Sequence, residues 1–530
     1  MRWTALLLLA LAMFCSYVFM DILSPIKDLM QDTRGWDSAS FGRMQGAEVF
    51  LNVYVFFLIF AGIILDKMGV RFTAVLSGAV MLFGGAIKYY ACSDAFIGTG
   101  LEAWFTTHLN WDGDIPIIGT ILPFAEGMPA SAKLAALGFM FFGCGCEMAG
   151  ITVSRGIVKW FKGRETALAM GSEMALARLG VATCMIFSPY FAKLGGEIHV
   201  DNAVKFGVVL LCIALIMFIV YFFMDKKLDA QTGEAEEKDD PFKISDLGKI
   251  FSSLGFWLVA LLCVLYYSAI FPFQKYAVNM LQCNLDLTPA DPNTFWGGES
   301  VTWVQYLLML VVAAGSFSSN FIKKNKGLKY GLMGVAVVAL IVYCYMGYMR
   351  GTAETIFAVF PLLAVAITPI LGNYVDHKGK AASMLMLGSI LLVICHLTFA
   401  FVLPGVSAAS AAGGVVVAYV TILVLGASFS LVPAALWPSV PKLVDEKIIG
   451  SAYAAIFWIQ NIGLGLFPAL IGLVLNKTNK EGAAAHELDY TWALVMLAAL
   501  GIAALLISVY LKAVDKKKGY GLEEPNIKES

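Results

Sequence analysis

Apolar runs of close to twenty residues alternate along this chain with short polar or charged segments. A helix rises about 1.5 Å per residue, so roughly twenty apolar residues cross a hydrocarbon layer about 30 Å thick. Windows of that length fall at 4–24, 44–65, 70–91, 133–155, 166–191 and 203–224, then at 252–281, 301–322, 328–349, 355–374, 381–403, 414–436, 449–475 and 490–513. The pattern predicts an all-α polytopic membrane protein of about 14 helices, divided by a polar segment that begins at Asp225. The expected organisation is a six-helix bundle over 1–224, a cytoplasmic central loop over 225–250, a second bundle over 251–515 and a cytoplasmic tail over 516–530. The second bundle carries an inserted hairpin at 301–349. The first run, near Thr4 to Met20, has no small-residue cleavage pattern and is read as a membrane helix, not a removed signal peptide.

Charge tests this count, because cytoplasmic loops accumulate Lys and Arg. Lys67 and Arg71, then Arg155 with Lys159, Lys162 and Arg164, then Lys323, Lys324, Lys326 and Lys329 fall on one side. So do Lys378 with Lys380, Lys442 with Lys447, and Lys512 with Lys516, Lys517 and Lys518. The opposite side holds the segment from Cys92 to Ser131, with Asp94, Glu102, Asp112, Asp114 and Glu126 but no Lys or Arg. Both termini are therefore expected to be cytoplasmic. An added hairpin keeps the orientation of everything that follows it.

Between the windows ending at Leu65 and starting at Val70 stands Gly62-Ile-Ile-Leu-Asp66-Lys67-Met-Gly69-Val-Arg71, a charged turn. It resembles the cytoplasmic loop motif of the major facilitator superfamily. A weaker copy, Gly372-Asn-Tyr-Val-Asp376-His-Lys378-Gly379-Lys380, recurs in the second half. Gly69 permits a very tight turn, and Asp66 is suited to meet a helix N-terminus or a basic side chain. Gly62, Asp66, Lys67, Gly69, Arg71, Arg155, Asp376, Lys378, Gly379 and Lys380 are the candidate gating residues. A second internal likeness matches Ala175-Leu-Ala-Arg178-Leu-Gly180 with Phe457-Trp-Ile-Gln-Asn461-Ile-Gly463. Asn461 is thereby the counterpart of Arg178, so packing common to both halves does not demand that charge.

Composition agrees with a membrane protein, with 59% hydrophobic residues, and the net charge of -1 argues against a nucleic-acid partner. The ten cysteines lie mostly in apolar runs, where packing is the plain explanation. No metal or other cofactor is expected, and no nucleophile with a base, or metal cluster at catalytic spacing, suggests an enzyme. The partners expected are a small-molecule substrate and the lipid bilayer, with a proton as co-substrate left open.

A charged group in hydrocarbon costs roughly 2.5 to 3.5 kcal/mol on insertion scales, so each one asks for a reason. Counted from the basic flanks, Glu147 and Arg178 lie about 12 and 21 Å deep, to either side of the midplane. The difference of about 9 Å is compatible with a dipeptide spanning about 7 Å. Glu147 would take the ammonium and Arg178 the carboxylate through its planar fork. The alternative is a direct Glu147 to Arg178 ion pair that needs no substrate. Glu173, one turn from Arg178, is open to neutralising it or to carrying a proton. Asp21, before Pro25, either faces the cavity or caps a weakened helix. Lys275 follows the kinked run around Pro272 and either faces the cavity or snorkels outward. Lys88 and Glu48 lie nearer helix ends and are expected to be solvated. Tyr266, Tyr267, Trp437 and Trp458 are candidate pocket aromatics, with packing and interfacial anchoring the plain alternative for each.

Lys159-Trp-Phe-Lys162-Gly163-Arg-Glu165, with Ala177-Arg178-Leu-Gly180, resembles within the superfamily the family of major facilitator superfamily domain-containing protein 1, lysosomal dipeptide transporters. Cys15-Ser-Tyr17 with Asp21, Tyr266-Tyr267 with Phe271-Pro272-Phe273, and Ala435-Leu-Trp437-Pro438 with Gln460-Asn461 add to the likeness. The resemblance implies an alternating-access carrier, uniporter or symporter, of dipeptides or similar zwitterions. It implies Glu147 and Arg178 as substrate-binding residues, with Asp21, Tyr17, Tyr266, Trp437 and Asn461 as further candidates. The alternatives are a proton-coupled carrier of another small organic anion and a non-transporting membrane sensor. The inserted pair, the acidic outer segment and the short N-terminal tail depart from the family. They shift the expected location from the lysosome to a bacterial cytoplasmic membrane.

Overall fold

Backbone in hydrocarbon must satisfy its own polar groups, and a chain of apolar windows does so by winding into helices. The computed structural model describes all residues except 111–121, 162–165, 233–243, 286, 288–298, 323–324, 351, 445–448 and 526–530. Expectations placed on Asp112, Asp114, Lys162, Arg164, Lys323, Lys324, Lys447 and the acidic run within 233–240 lie outside the described residues. The long helices are α1 (Arg2–Met20), α2 (Phe57–Cys92), α3 (Ala130–Trp160), α4 (Thr166–Ala192), α5 (Val200–Thr232) and α6 (Leu254–Asn284). They continue as α7 (Glu299–Phe321), α8 (Lys326–Arg350), α9 (Val359–Lys378), α10 (Ala381–Leu397), α11 (Ala411–Leu443), α12 (Ile449–Thr478) and α13 (Thr491–Lys518). Among the described residues, 12 helices are long and apolar enough to cross a membrane, and Trp303–Ser319 is a shorter apolar helix. This is a multi-pass membrane protein.

The long α2 covers the end of one predicted window and the whole of the next. Its two arms meet at Gly69, whose backbone (φ 77, ψ 168) is not helical. Only a glycine takes that conformation without strain, so the charged motif turns the chain there. The window at 44–65 is not one continuous helix. It is divided into Ser38–Gly46, a 3-10 turn Ala47–Val49, Phe50–Tyr54 and the first arm of α2, with Phe56 in the left-handed region (φ 55). Hydrophobic periodicity does not detect such a break, because the residues on both sides of it are equally apolar.

The described chain separates into two compact units. One comprises Met1–Phe242 with Leu464–Ala485, the other Lys243–Gly463 with His486–Ser530. In the first, α1 packs on α4 where a Cβ at Gly180 would lie 2.5 Å from the Phe14 carbonyl oxygen. In the second, a Cβ at Gly463 would run into the Ser268 hydroxyl of α6. The two segments matched in sequence thus do the same work in each unit: a glycine lets the first helix of the unit come close.

Candidate functional site

Two groups of charged residues stand out in the first unit, and the first lies at its Asp66 end. Asp66 Oδ1 accepts from Arg155 Nη1 at 2.6 Å. Beside it, Asp225 near the end of α5 is almost fully buried, with its side chain 1% exposed. It accepts from Lys159 Nζ at 2.7 Å, Trp160 Nε1 at 2.8 Å and Tyr221 Oη at 3.3 Å. Arg71 Nε stands 3.8 Å from the same carboxylate, and Arg71 Nη2 3.2 Å from Asp229 Oδ2. Lys159 also reaches Asp229 Oδ1 at 2.8 Å. The motif residues Asp66 and Arg71 therefore grip two different partners: one the basic end of α3, the other the acidic end of α5. Gly62 has open space where a Cβ would stand, and Lys67 is exposed. Sequence reasoning missed Asp225, since it read that residue as the start of a polar loop.

The second group lies deeper. Tyr17 of α1, Glu147 of α3, and Glu173 and Arg178 of α4 come together: the charges of Arg178, Glu173 and Glu147 all act on the Tyr17 hydroxyl, and Arg178 also acts on the Glu173 carboxyl. Arg178 Cζ stands 5.8 Å from the centre of the Tyr17 ring, within range of a cation–π contact. Tyr17, Glu147 and Arg178 are half-buried, whereas Glu173 is buried. Three helices thus bring one cation and two acids around one phenol. Glu173 stands in this group beside Arg178. Asp21 is buried one turn beyond Tyr17, caps the end of α1 and accepts from Ser24 Oγ at 3.2 Å; Ser24 Oγ in turn accepts from Gln45 Nε2.

Lys88 corrects an expectation. It is not solvated but fully buried, with Nζ 3.6 Å from the centre of the Phe139 ring and 5.3 Å from that of Phe19. The aromatic faces supply part of what water would have given it. Glu48 is half-buried.

In the second unit Tyr266 is fully buried and shares a 2.6 Å hydrogen bond with Ser428, which donates to the Gly388 carbonyl at 2.8 Å. Trp437 Nε1 donates to Tyr267 Oη at 3.2 Å, and its indole stacks on Phe457 at 4.8 Å. Tyr453 Oη donates to the Trp437 carbonyl at 3.0 Å. Asn461 and Lys275 are buried. The second charged turn has Gly379 at φ 72 and Lys380 at φ 66. There the C-terminal tail takes hold. Lys380 N and Ala381 N donate to the carbonyls of Glu523 (3.1 Å) and Leu522 (3.0 Å). Ser383 N and Oγ donate to the two oxygens of the Glu523 carboxylate at 2.7 and 2.8 Å. Lys442 Nζ donates to the carbonyls of Gly521 and Glu524 at 2.9 and 3.1 Å. It also feels the charges of Glu524, Asp515 and Asp376. Lys378 is exposed. Among the described residues, no three His, Cys, Asp or Glu side chains gather as a metal site.

The Major Facilitator Superfamily pattern matches residues 115–353. Among solved structures, the nucleoside transporter NupG superimposes with a TM-score of 0.58 at 12% identity, covering 96% of this chain and 99% of that one. The chain has the major facilitator superfamily fold. A solved structure titled for substrate recognition in proton dependent oligopeptide transporters superimposes with a TM-score of 0.55 at 12% identity, over 97% of this chain and 98% of that one. In sequence the chain is 24% identical over 367 residues to the lysosomal dipeptide transporter MFSD1 of Bos taurus and 23% identical over 368 residues to that of Homo sapiens. These matches take in 68% of this chain and 62% and 63% of the relatives, so the chain spans less than two thirds of their length.

Proposed function

We propose that this protein is an alternating-access transporter of small zwitterions, dipeptides first among them. The observation that carries the reading is the meeting of Tyr17, Glu147, Glu173 and Arg178 in one unit. An isolated charge in a membrane interior is costly, and a buried Arg with one acid would already be neutral. A second acid leaves a carboxylate to receive an ammonium, while the Arg178 guanidinium offers a fork for a carboxylate. The likeness to MFSD1 supports a dipeptide as the substrate. Asp21, Tyr266, Trp437 and Asn461 stay within the proposal as further substrate residues, and both charged turns as its gates. The basic residues beside the turns support an orientation with both termini cytoplasmic. A bacterial cytoplasmic membrane completes the proposal.

The test is uptake of labelled dipeptides into proteoliposomes against single amino acids and dicarboxylates. Arg178→Lys keeps the charge but loses the planar fork, so it should weaken binding of ligands with a free carboxylate. Glu147→Gln should spare ligands whose amine is blocked. Equal loss for free, amine-blocked and carboxyl-amidated dipeptides would instead mark a structural ion pair. Transport of dicarboxylates but not dipeptides would identify an organic-anion carrier, and no transport of any of them would favour a sensor.

A further inference from the structure

We propose that Asn52 is a further substrate-contacting residue, placed to hold the peptide group between the charged ends of the ligand. The assignment rests on the transport reading above and deepens it. Asn52 is 2% exposed, and neither its Nδ2 nor its Oδ1 has a hydrogen-bond partner. A buried carboxamide with both halves unbonded is an expensive thing for a fold to keep, and it asks for an explanation.

Its height in the unit is set by two ties between the segment 36–66 and α3 that share one register, and a third closes the far end. Trp36 Nε1 donates to Ser131 Oγ at 2.9 Å, across a sequence separation of 95. Glu48 and Gly143 have the same separation, and a Cβ on Gly143 would run into the Glu48 carbonyl. Asp66 and Arg155 close the far end. The two segments therefore run in the same direction and keep one register through Glu48. One helical turn further along both, that register sets Asn52 level with Glu147. The backbone departs from a regular helix on both sides of Asn52, with the 3-10 turn Ala47–Val49 before it and the left-handed Phe56 (φ 55) after it. A bulky residue in that region is a rare state that gathers at ligand sites, and interrupted helices mark binding sites in transporters.

The chemistry fits one ligand feature. The N–H and C=O of a trans peptide group point in opposite directions, so one carboxamide engages one of them, and the Asn52 carbonyl oxygen is an acceptor for the N–H. Glu147 would hold the ammonium, and the peptide N–H would donate to Asn52 Oδ1. A single amino acid lacks this group.

The experiment measures binding of alanyl-alanine, and of its depsipeptide with an ester in place of the peptide N–H, to the purified full chain and to Asn52→Leu. The wild type should bind the ester about tenfold more weakly, the order expected for one buried hydrogen bond. Asn52→Leu should bind the dipeptide at least tenfold more weakly and show no further loss with the ester, while melting no lower than the wild type. Asn52→Ala serves if the Leu variant does not fold. Equal binding of peptide and ester by the wild type, or wild-type affinity in the variants, overturns the assignment and leaves the dipeptide reading standing. No dipeptide binding by the wild type overturns both.

Discussion

Asp66 accepts a hydrogen bond from Arg155 at 2.6 Å, with the Arg side chain 15% and the Asp side chain 36% exposed. The pair joins the first arm of α2 to the end of α3 in the unit that also holds Glu147. A half-exposed ion pair contributes about 1 kcal/mol or less to stability. Its larger role in the proposed cycle is to hold two helix ends together. Gly150 of α3 is a suitable reporter position, because nothing stands within 4 Å of where its Cβ would be. Asp66→Asn should speed the reaction of a Gly150→Cys thiol with a membrane-impermeant reagent in inside-out vesicles. The charge-reversed pair Asp66→Arg with Arg155→Asp should restore slow labelling. Labelling that does not change in Asp66→Asn would leave this pair with a folding role alone.

Asp225 is a stronger anchor than Asp66, because its carboxylate is buried and accepts from Lys159, Trp160 and Tyr221 together. Removing one member of such a group strands the others. Asp225→Ala should cost about 3 to 5 kcal/mol, seen as a lower melting temperature and a poor yield of monodisperse protein in detergent. Asp229→Ala should cost much less, since that carboxylate is 20% exposed. Equal effects of the two changes would show that burial of Asp225 does not set its importance.

Glu523 caps α10 from the tail, with both carboxylate oxygens on Ser383. A carboxylate at a helix N-terminus satisfies free amides and opposes the positive end of the dipole. Glu523→Ala should cost about 1 kcal/mol locally, which appears as roughly fivefold to tenfold faster hydrogen exchange at the amides of Lys380, Ala381 and Ser383. Removal of the segment from Gly519 onward should do the same and also expose Lys442 to acylation. Exchange that stays slow after removal would mean the tail does not hold this turn in solution.

Gly180 and Gly463 make the same close approach in their two units, one to Phe14 and one to Ser268. An added methyl has backbone oxygen to displace at Gly180 and a side-chain hydroxyl at Gly463. Gly180→Ala should destabilise by about 1 to 3 kcal/mol, read as a fall in melting temperature. Gly463→Ala should cost less, because a Ser rotamer can turn away more easily than a helix can shift. The reverse order would show that backbone contact is not the deciding restraint.

Much of this protein was determined by its sequence alone. The helical class and the spacing of the helices follow because continuous apolar runs of about twenty residues match a spanning helix, which bonds its own backbone polar groups in hydrocarbon. The sharp turns at Gly69 and Gly379 follow from residues that tolerate positive φ, and the duplicated role of Gly180 and Gly463 from matching local runs. Glu147 and Arg178 were noticeable because a charge in an apolar window is costly wherever it lies. Tertiary structure decided which side chains meet. Glu173 and Arg178 of α4 meet Tyr17 of α1 because the two helices pack with one rotation out of many that the same apolar stripes would allow. Asp225 gathers Lys159, Trp160 and Tyr221, and Glu523 reaches Ser383 across a sequence separation of 140. The break beside Asn52 was also hidden, since apolar residues read alike in a straight helix and in an interrupted one. The cost of a charge in an apolar run belongs to the residue and can be read locally, whereas the burial of Lys88 and Asp225 could not. A contact depends on register and rotation between segments, which the packing of the whole unit sets.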